Sequence, residues 1–322
     1  MIRIAIIGLG LIGASLGMAL RNADPKESPL GAVEVIGFDR EPRVIREARG
    51  RLAIDREART LAEAVREAQM VVVATPVRAM QEVFRELATL LPAGVVVTDV
   101  ASTKAQVCRW AAELLPRTVS FVGGHPMAGR EKSGPAAADP DLFREAIYCL
   151  TATGDTAPQA IEAVEALVRA VGAKPYYIDP EEHDAYVAGI SHLPLLLSVG
   201  LVTATGNSPA WKEMAPLAAT GFRDVSRLAS GDPQMQRDIL LTNPHGLTRW
   251  IDELIRFLVT AREQINAGDA AAIEQMLHQA KATRDAWLES KPHLRPGEAD
   301  FTAMPTVERP SLLGFRLPKR EK

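Results

Sequence analysis

The chain has 322 residues, 47% hydrophobic and 24% charged, the proportions of an ordinary globular protein with length for about two domains. Its formal net charge of −3 gives no general attraction to nucleic acid or to an anionic membrane, so neither is expected as a partner. The two cysteines, Cys108 and Cys149, have no spacing suited to a disulfide framework or a metal site, which predicts a reducing cytoplasm and no metal centre.

The chain opens on the strand-like run Ile2-Arg3-Ile4-Ala5-Ile6-Ile7, with no charged leader and cleavage site of the kind a signal peptide carries. From there to about residue 180, short β-branched runs alternate with amphipathic stretches. Strands are predicted over 3–7, 34–38, 70–74, 95–98, 119–122, 147–151 and 175–178. Helices are predicted over 11–22, 42–49, 77–91, 104–114 and 158–171. This alternation specifies an α/β fold, a Rossmann-type, doubly wound and mostly parallel sheet covered by helices.

Gly8-Leu9-Gly10-Leu11-Ile12-Gly13 lies between the first strand and the first helix, the setting in which this glycine spacing reads as a dinucleotide site. Gly8 would make the tight turn, Gly10 admit the pyrophosphate and Gly13 let helix and strand pack closely. Asp39 closes the second strand, where a carboxylate accepts bonds from ribose hydroxyls and repels a 2′-phosphate. NAD is therefore expected over NADP, with Arg40 keeping some NADP use open. The separation from Gly13 exceeds the usual span of about 20 residues, and the polar segment 24–31 accounts for the excess as a loop. Ala74-Thr75-Pro76 follows the strand over 70–74, so Thr75 and Pro76 are candidate cofactor contacts; Thr75 equally suits a helix cap.

Two further motifs follow strands, where ligands of parallel sheets gather. Asp99-Val100-Ala101-Ser102-Thr103-Lys104 offers a hydroxyl, and Ser102 is also a candidate helix cap. Gly123-Gly124-His125-Pro126-Met127-Ala128-Gly129-Arg130-Glu131-Lys132-Ser133-Gly134 carries a histidine able to exchange a proton near neutral pH, in what reads as a loop stiffened by Pro126. The alternative is a histidine that merely bonds a loop carbonyl. After Asp179-Pro180 the strand pattern stops, and an all-α region is predicted over 181–289. The apolar stretch 186–205 contains His192 and Pro194 and reads as a buried helix rather than a membrane span. With 250–259 it offers more apolar surface than a short bundle hides, so a homodimer is expected. Residues 290–322 are proline-rich, with a basic end at Arg316, Lys319, Arg320 and Lys322, and read as a tail that wraps the surface or is disordered.

The order of these motifs, with Ile190-Ser191-His192-Leu193-Pro194 and Gly221-Phe222-Arg223-Asp224-Val225-Ser226-Arg227, closely resembles the prephenate/arogenate dehydrogenase family of tyrosine biosynthesis. The resemblance spans about residues 2–288. It implies a soluble, NAD-dependent oxidative decarboxylation of prephenate to 4-hydroxyphenylpyruvate, or of arogenate to tyrosine. It also implies catalytic roles for His125, as base toward the ring hydroxyl, and Ser102, which orients it. Substrate-binding roles follow for Arg227, toward a carboxylate, and His192. Arg223 is a rival to Arg227, pairing of either arginine with Asp224 or Asp232 remains open, and His192 also fits a satisfied core residue. Glu131 matches an acidic residue that gates the entrance, or else pairs with Lys132 or Arg130. Gln236 stands where many members carry tryptophan, which bears on pyruvyl against alanyl selectivity. His183, His245, His278 and His293 read as structural or solvated. Rivals outside the family are another Rossmann/helical NAD-dependent hydroxyacid dehydrogenase and a catalytically silent NAD-binding sensor.

Overall fold

In the computed structural model, which describes residues 1–130, 132–154 and 156–290, the first strand sets the plan. Along β1 (Ile2–Ile7) side chains alternate between faces. Ile4 and Ile6 join one buried cluster and Ala5 and Ile7 another. A strand covered on both faces needs no polar side, which is why its buried part, Ile4-Ala5-Ile6-Ile7, is an unbroken apolar run. The remaining strands are β2 (Val33–Phe38), β3 (Arg56–Glu57), β4 (Met70–Val73), β5 (Val96–Asp99), β6 (Ser120–Pro126), β7 (Ile147–Thr151) and β8 (Lys174–Tyr177). They form one sheet in the order β3-β2-β1-β4-β5-β6-β7-β8. All pairs are parallel except β6 with β7. The expected mostly parallel, doubly wound sheet is therefore present, with β7 and the edge strand β8 running opposite to the rest.

Helices α1 (Leu11–Asn22), α2 (Pro42–Gly50), α3 (Leu61–Val65), α4 (Met80–Leu87), α5 (Ala105–Leu114) and α6 (Pro158–Ala170) cover the two faces. Side chains of α1, α2 and α6 fill the cluster around Ile4, while those of α3, α4 and α5 fill the cluster around Ala5. Each fully buried Ile or Leu among them contributes roughly 1.5–3 kcal/mol of transfer energy. The short β3 and α3 were not anticipated from sequence. The helix expected from Val77 begins as a 3-10 turn, Val77–Ala79, before α4.

Beyond β8 every described element is helical: α7 (Pro180–Val187), α8 (Leu193–Gly206), α9 (Trp211–Met214), α10 (Thr220–Ser226), α11 (Pro233–Thr242), α12 (Pro244–Ala267) and α13 (Ala270–Glu289). A π-helical turn, Ala188–His192, joins α7 to α8, so Pro180–Gly206 runs as one helix long and apolar enough to cross a membrane by length and composition. The expectation that this stretch is buried fails for a single chain, because only 28% of its most apolar window is covered. Its apolar residues go all round the helix, and the rest of the chain packs on one side. Residues 291–322, with the basic end, and Glu131 lie outside the described residues.

Candidate active site

Steric necessity builds the turn between β1 and α1. Gly8 has φ of +96°, and a Cβ there would lie 2.6 Å from the Ala74 carbonyl oxygen. A Cβ on Gly13 would lie 2.0 Å from the Gly8 carbonyl oxygen, so only hydrogen lets the helix approach the turn this closely. Around Gly10 a Cβ would meet nothing within 4 Å, and this glycine borders open space. No side chain caps α1 and no acidic residue lies in its first turn, which leaves amide donors at the positive end of the helix to an external anion. Asp39 ties this turn to the end of β2: its Oδ2 accepts from the Leu9 amide at 3.0 Å and its Oδ1 from the Glu41 amide at 3.0 Å. The Thr75 hydroxyl oxygen is buried without a partner, and the turn at Val77 has no side-chain cap, so the capping alternative for Thr75 is not realised. An uncapped helix start, an open glycine and an unused hydroxyl along one wall fit a dinucleotide.

That wall belongs to a cleft of about 670 Å³ between the sheet's carboxyl edge and the helical region. Gly10, Leu11, Ile12, Thr75, Pro76, Ser102, His125, His192, Arg227 and Gln236 all line it. Gly8, Gly13 and the partly exposed Asp39 are outside the lining, as is the exposed Arg40. Ser102 does not cap α5, whose first residue is Ala105. Arg223 is paired with Asp224 at 3.0 Å on the surface and does not line the cleft.

His125 is not in a loop. β6 changes partners, pairing in parallel with β5 through Val122 and then antiparallel with β7, with His125 opposite Cys149. The two glycines before it serve the fold rather than a ligand. A Cβ on Gly123 would meet the Thr151 hydroxyl at 2.2 Å, and one on Gly124 the Asp99 carbonyl oxygen at 2.5 Å. Beneath His125 lies a fully buried ion pair. Lys104 Nζ donates to Asp99 Oδ2 and, at 2.6 Å, to the Gly124 carbonyl, while the Gly124 amide donates to Asp99 Oδ1 at 3.0 Å. These hydrogen bonds offset part of the cost of burying the two charges, and the pair holds the strand just before His125.

The helical region completes the histidine's surroundings. His125 Nδ1 lies 2.9 Å from His183 Nε2, and His183 Nδ1 lies 2.8 Å from Asp184 Oδ1. Asp184 also accepts the Lys104 amide at 2.7 Å and the Ala105 amide at 3.0 Å, capping α5 from a distant part of the chain. Burial, and then the positive charges that His183, Lys104 and His192 can carry, hold the His125 pKa well below the usual imidazole value. His192 sits in the π-helical turn, which absorbs the backbone disturbance that Pro194 imposes. Its Nδ1 lies 3.4 Å from Asn243 Nδ2, which donates to the Asp184 carbonyl at 2.6 Å. Burial lowers the His192 pKa to about 4, against the opposing pull of Asp184. Gln236 bonds the Leu228 carbonyl through its Nε2 at 2.7 Å, fastening the 3-10 turn Arg227–Ser230 on which Arg227 stands.

Residues 19–177 match the prephenate dehydrogenase nucleotide-binding domain and residues 179–279 the prephenate dehydrogenase dimerization domain. A prephenate dehydrogenase of Bacillus subtilis is 38% identical over 287 residues, covering 88% of this chain and 75% of the relative. The chain belongs to the prephenate dehydrogenase family. A cyclohexadienyl dehydrogenase of Zymomonas mobilis is 31% identical, over 91% of this chain and 98% of its own. The prephenate dehydrogenase structure from A. aeolicus, in complex with hydroxyphenyl propionate and NAD+, superposes with a TM-score of 0.81 at 27% identity, covering 89% of this chain and 98% of that one. A Synechocystis arogenate dehydrogenase gives a TM-score of 0.74 at 30% identity, covering 89% and 100%. In this family member His183, expected to be structural or solvated, is 1% exposed and bonded, the structural alternative, and its contact with His125 is what the sequence did not show. Sequence reading also missed the partners Asp184 and Asn243. The only local signal was a His-Asp pair in the first helix after the sheet.

Proposed function

We propose that the chain is a cytoplasmic, homodimeric prephenate dehydrogenase that uses NAD in the oxidative decarboxylation of prephenate to 4-hydroxyphenylpyruvate. The observation that carries this reading is the convergence of His125, Ser102 and Arg227 on the cleft that the open Gly10 turn borders. NAD, when bound, supplies the acceptor for the hydride leaving the hydroxyl-bearing ring carbon. Gly10, Leu11, Ile12, Thr75 and Pro76 would hold it along the cleft wall, with Gly8, Gly13 and Asp39 shaping the turn. The Asp39 carboxylate disfavours a 2′-phosphate, while the exposed Arg40 leaves a minor NADP route.

In this reading His125 takes the ring hydroxyl proton. Its lowered pKa keeps the imidazole uncharged, as a base must be at neutral pH. Ser102 orients that hydroxyl, and the Arg227 guanidinium meets a substrate carboxylate with a geometry suited to two parallel bonds. With Nδ1 facing an amide donor, His192 presents Nε2–H as a donor for the substrate. Glu131 keeps its sequence-based assignment at the entrance. The nucleotide domain is assigned to residues 1–180, the helical substrate and dimerisation domain to 181–289, and the tail to 290–322. The apolar helix over 180–206 is then covered by the partner subunit, and no membrane or nucleic acid is involved.

A second reading, arogenate as substrate, draws on Gln236, whose amide on the cleft lining is turned toward the Leu228 carbonyl. Initial rates with prephenate and arogenate, each with NAD and with NADP, separate the two. Prephenate with NAD is expected to be fastest, and an arogenate preference moves the specificity while leaving the base unchanged. His125→Asn is expected to lower kcat by about 10²–10⁴-fold, the usual contribution of a general base, with NAD affinity retained. Loss of less than about tenfold would remove His125 from that role.

A further inference from the structure

A base needs a bare nitrogen facing its substrate, and imidazole has two nitrogens. We infer that His183 and Asp184 fix His125 as the tautomer with hydrogen on Nδ1, leaving Nε2 as the acceptor that meets the substrate hydroxyl. The inference rests on the proposed role of His125 as base and adds how that base is aimed.

Asp184 accepts three bonds, from the Lys104 and Ala105 amides and from His183 Nδ1. Two of these donors are backbone amides at the start of α5, which can only donate, so the carboxylate stands here as an acceptor. An ionised carboxylate only accepts, so His183 Nδ1 carries a hydrogen. Neutral His183 then presents a bare Nε2, 2.9 Å from His125 Nδ1, and that nitrogen must donate. The ring planes are inclined at 71°, so the rings meet edge to edge rather than stacked. When Nε2 gains the substrate proton, the new charge is shared through His183 toward a carboxylate already in place, with no rearrangement. His183 is absent from the cleft lining, so both residues are positioning residues. The reverse arrangement, a His183 cation donating to His125, would place the hydrogen on Nε2 and leave no base at the cleft.

Nitrogen-15 NMR of the full chain labelled at histidine, with NAD bound, reads the tautomer directly, the His125 signals being those lost in His125→Asn. Hydrogen on Nδ1 and a bare Nε2 are expected, and hydrogen on Nε2 overturns the inference whatever any variant does. His183→Leu, which removes the acceptor, is expected to lower kcat by about 10–10²-fold with KM for prephenate moved less than about threefold, the pattern of a lost orienting partner. His183→Gln offers a side-chain carbonyl in its place and is expected to recover part of that loss. A folded Leu variant that binds NAD normally and keeps kcat within about twofold overturns the inference. Should the Leu variant not fold, the wild-type spectrum and the Gln variant decide. Activity surviving in His125→Asn would instead sink the base assignment, so the two failures read differently.

Discussion

Two histidines facing the cleft are held uncharged by burial, and this sets how the protein answers acid. His125 and His192 both have pKa values below the ordinary imidazole value, so the folded state releases protons that the unfolded chain keeps at pH 6.5 and below. Stability is therefore complete above about pH 6.5 and is lost as pH falls, for His192 toward about 4. The melting temperature of the wild type is expected to drop between pH 6.5 and 4.5, and to drop less steeply in His192→Gln. Equal slopes would mean that His192 titrates like a solvated side chain. By the same sign, kcat/KM should stay level as pH falls from 8 through 6.5 and decline only below, because the base is already neutral there. At this scale the sequence disclosed the side chains that touch the cleft, since His125, Ser102, His192 and Arg227 lie in short motifs. It did not disclose what supports them. The bond from His125 to His183 joins residues 58 positions apart, and a hydrogen bond across that distance leaves no periodic trace.

The glycine turn allows a test in which one substitution has opposite meanings at positions three apart. Gly13→Ala drives a methyl group into the Gly8 carbonyl oxygen at 2.0 Å. It should cost about 1–3 kcal/mol of stability, as overpacking does, read by denaturant unfolding. Gly10 has φ of −66° and open space beside it, so Gly10→Ala should leave stability within about 0.5 kcal/mol. Its methyl group would point where a phosphate approaches, and NAD affinity is expected to fall. If both variants lose stability equally, the distinction between a packing glycine and a ligand glycine fails. Elements with a strong period were readable, among them β1, β4, α1 and α6, because both faces of the sheet are apolar and each helix shows it one side. β6 was read four residues short. Gly123, Gly124 and Pro126 are poor strand formers, and the strand continues there only because β7 arrives from the opposite direction to pair with it. β3 has two residues, too few to show any alternation.

For the molecule as a whole the unresolved account is apolar surface. On α12, Ile255, Phe257 and Leu258 are each half exposed, and the helix over 180–206 adds Ile190 at 71% exposure. Exposed apolar side chains on two helices of the region point to a surface that a second chain covers. Sedimentation is expected to give the mass of a dimer at micromolar concentration, and Phe257→Asp to shift it toward monomer with a lower melting temperature. A wild-type monomer at every concentration would contradict the homodimer. The two-part organisation was legible because the strand pattern stops at residue 180, while the burial state of the long helix was not, since composition alone cannot say which chain covers it. The order of the parts along the polypeptide has one more effect. A nascent chain leaving the ribosome completes its nucleotide-binding turn, and the strand that carries His125, well before Asp184 and Asn243 have been synthesised. On the proposed mechanism, the groups that aim His125 are thus among the later ones the growing chain acquires.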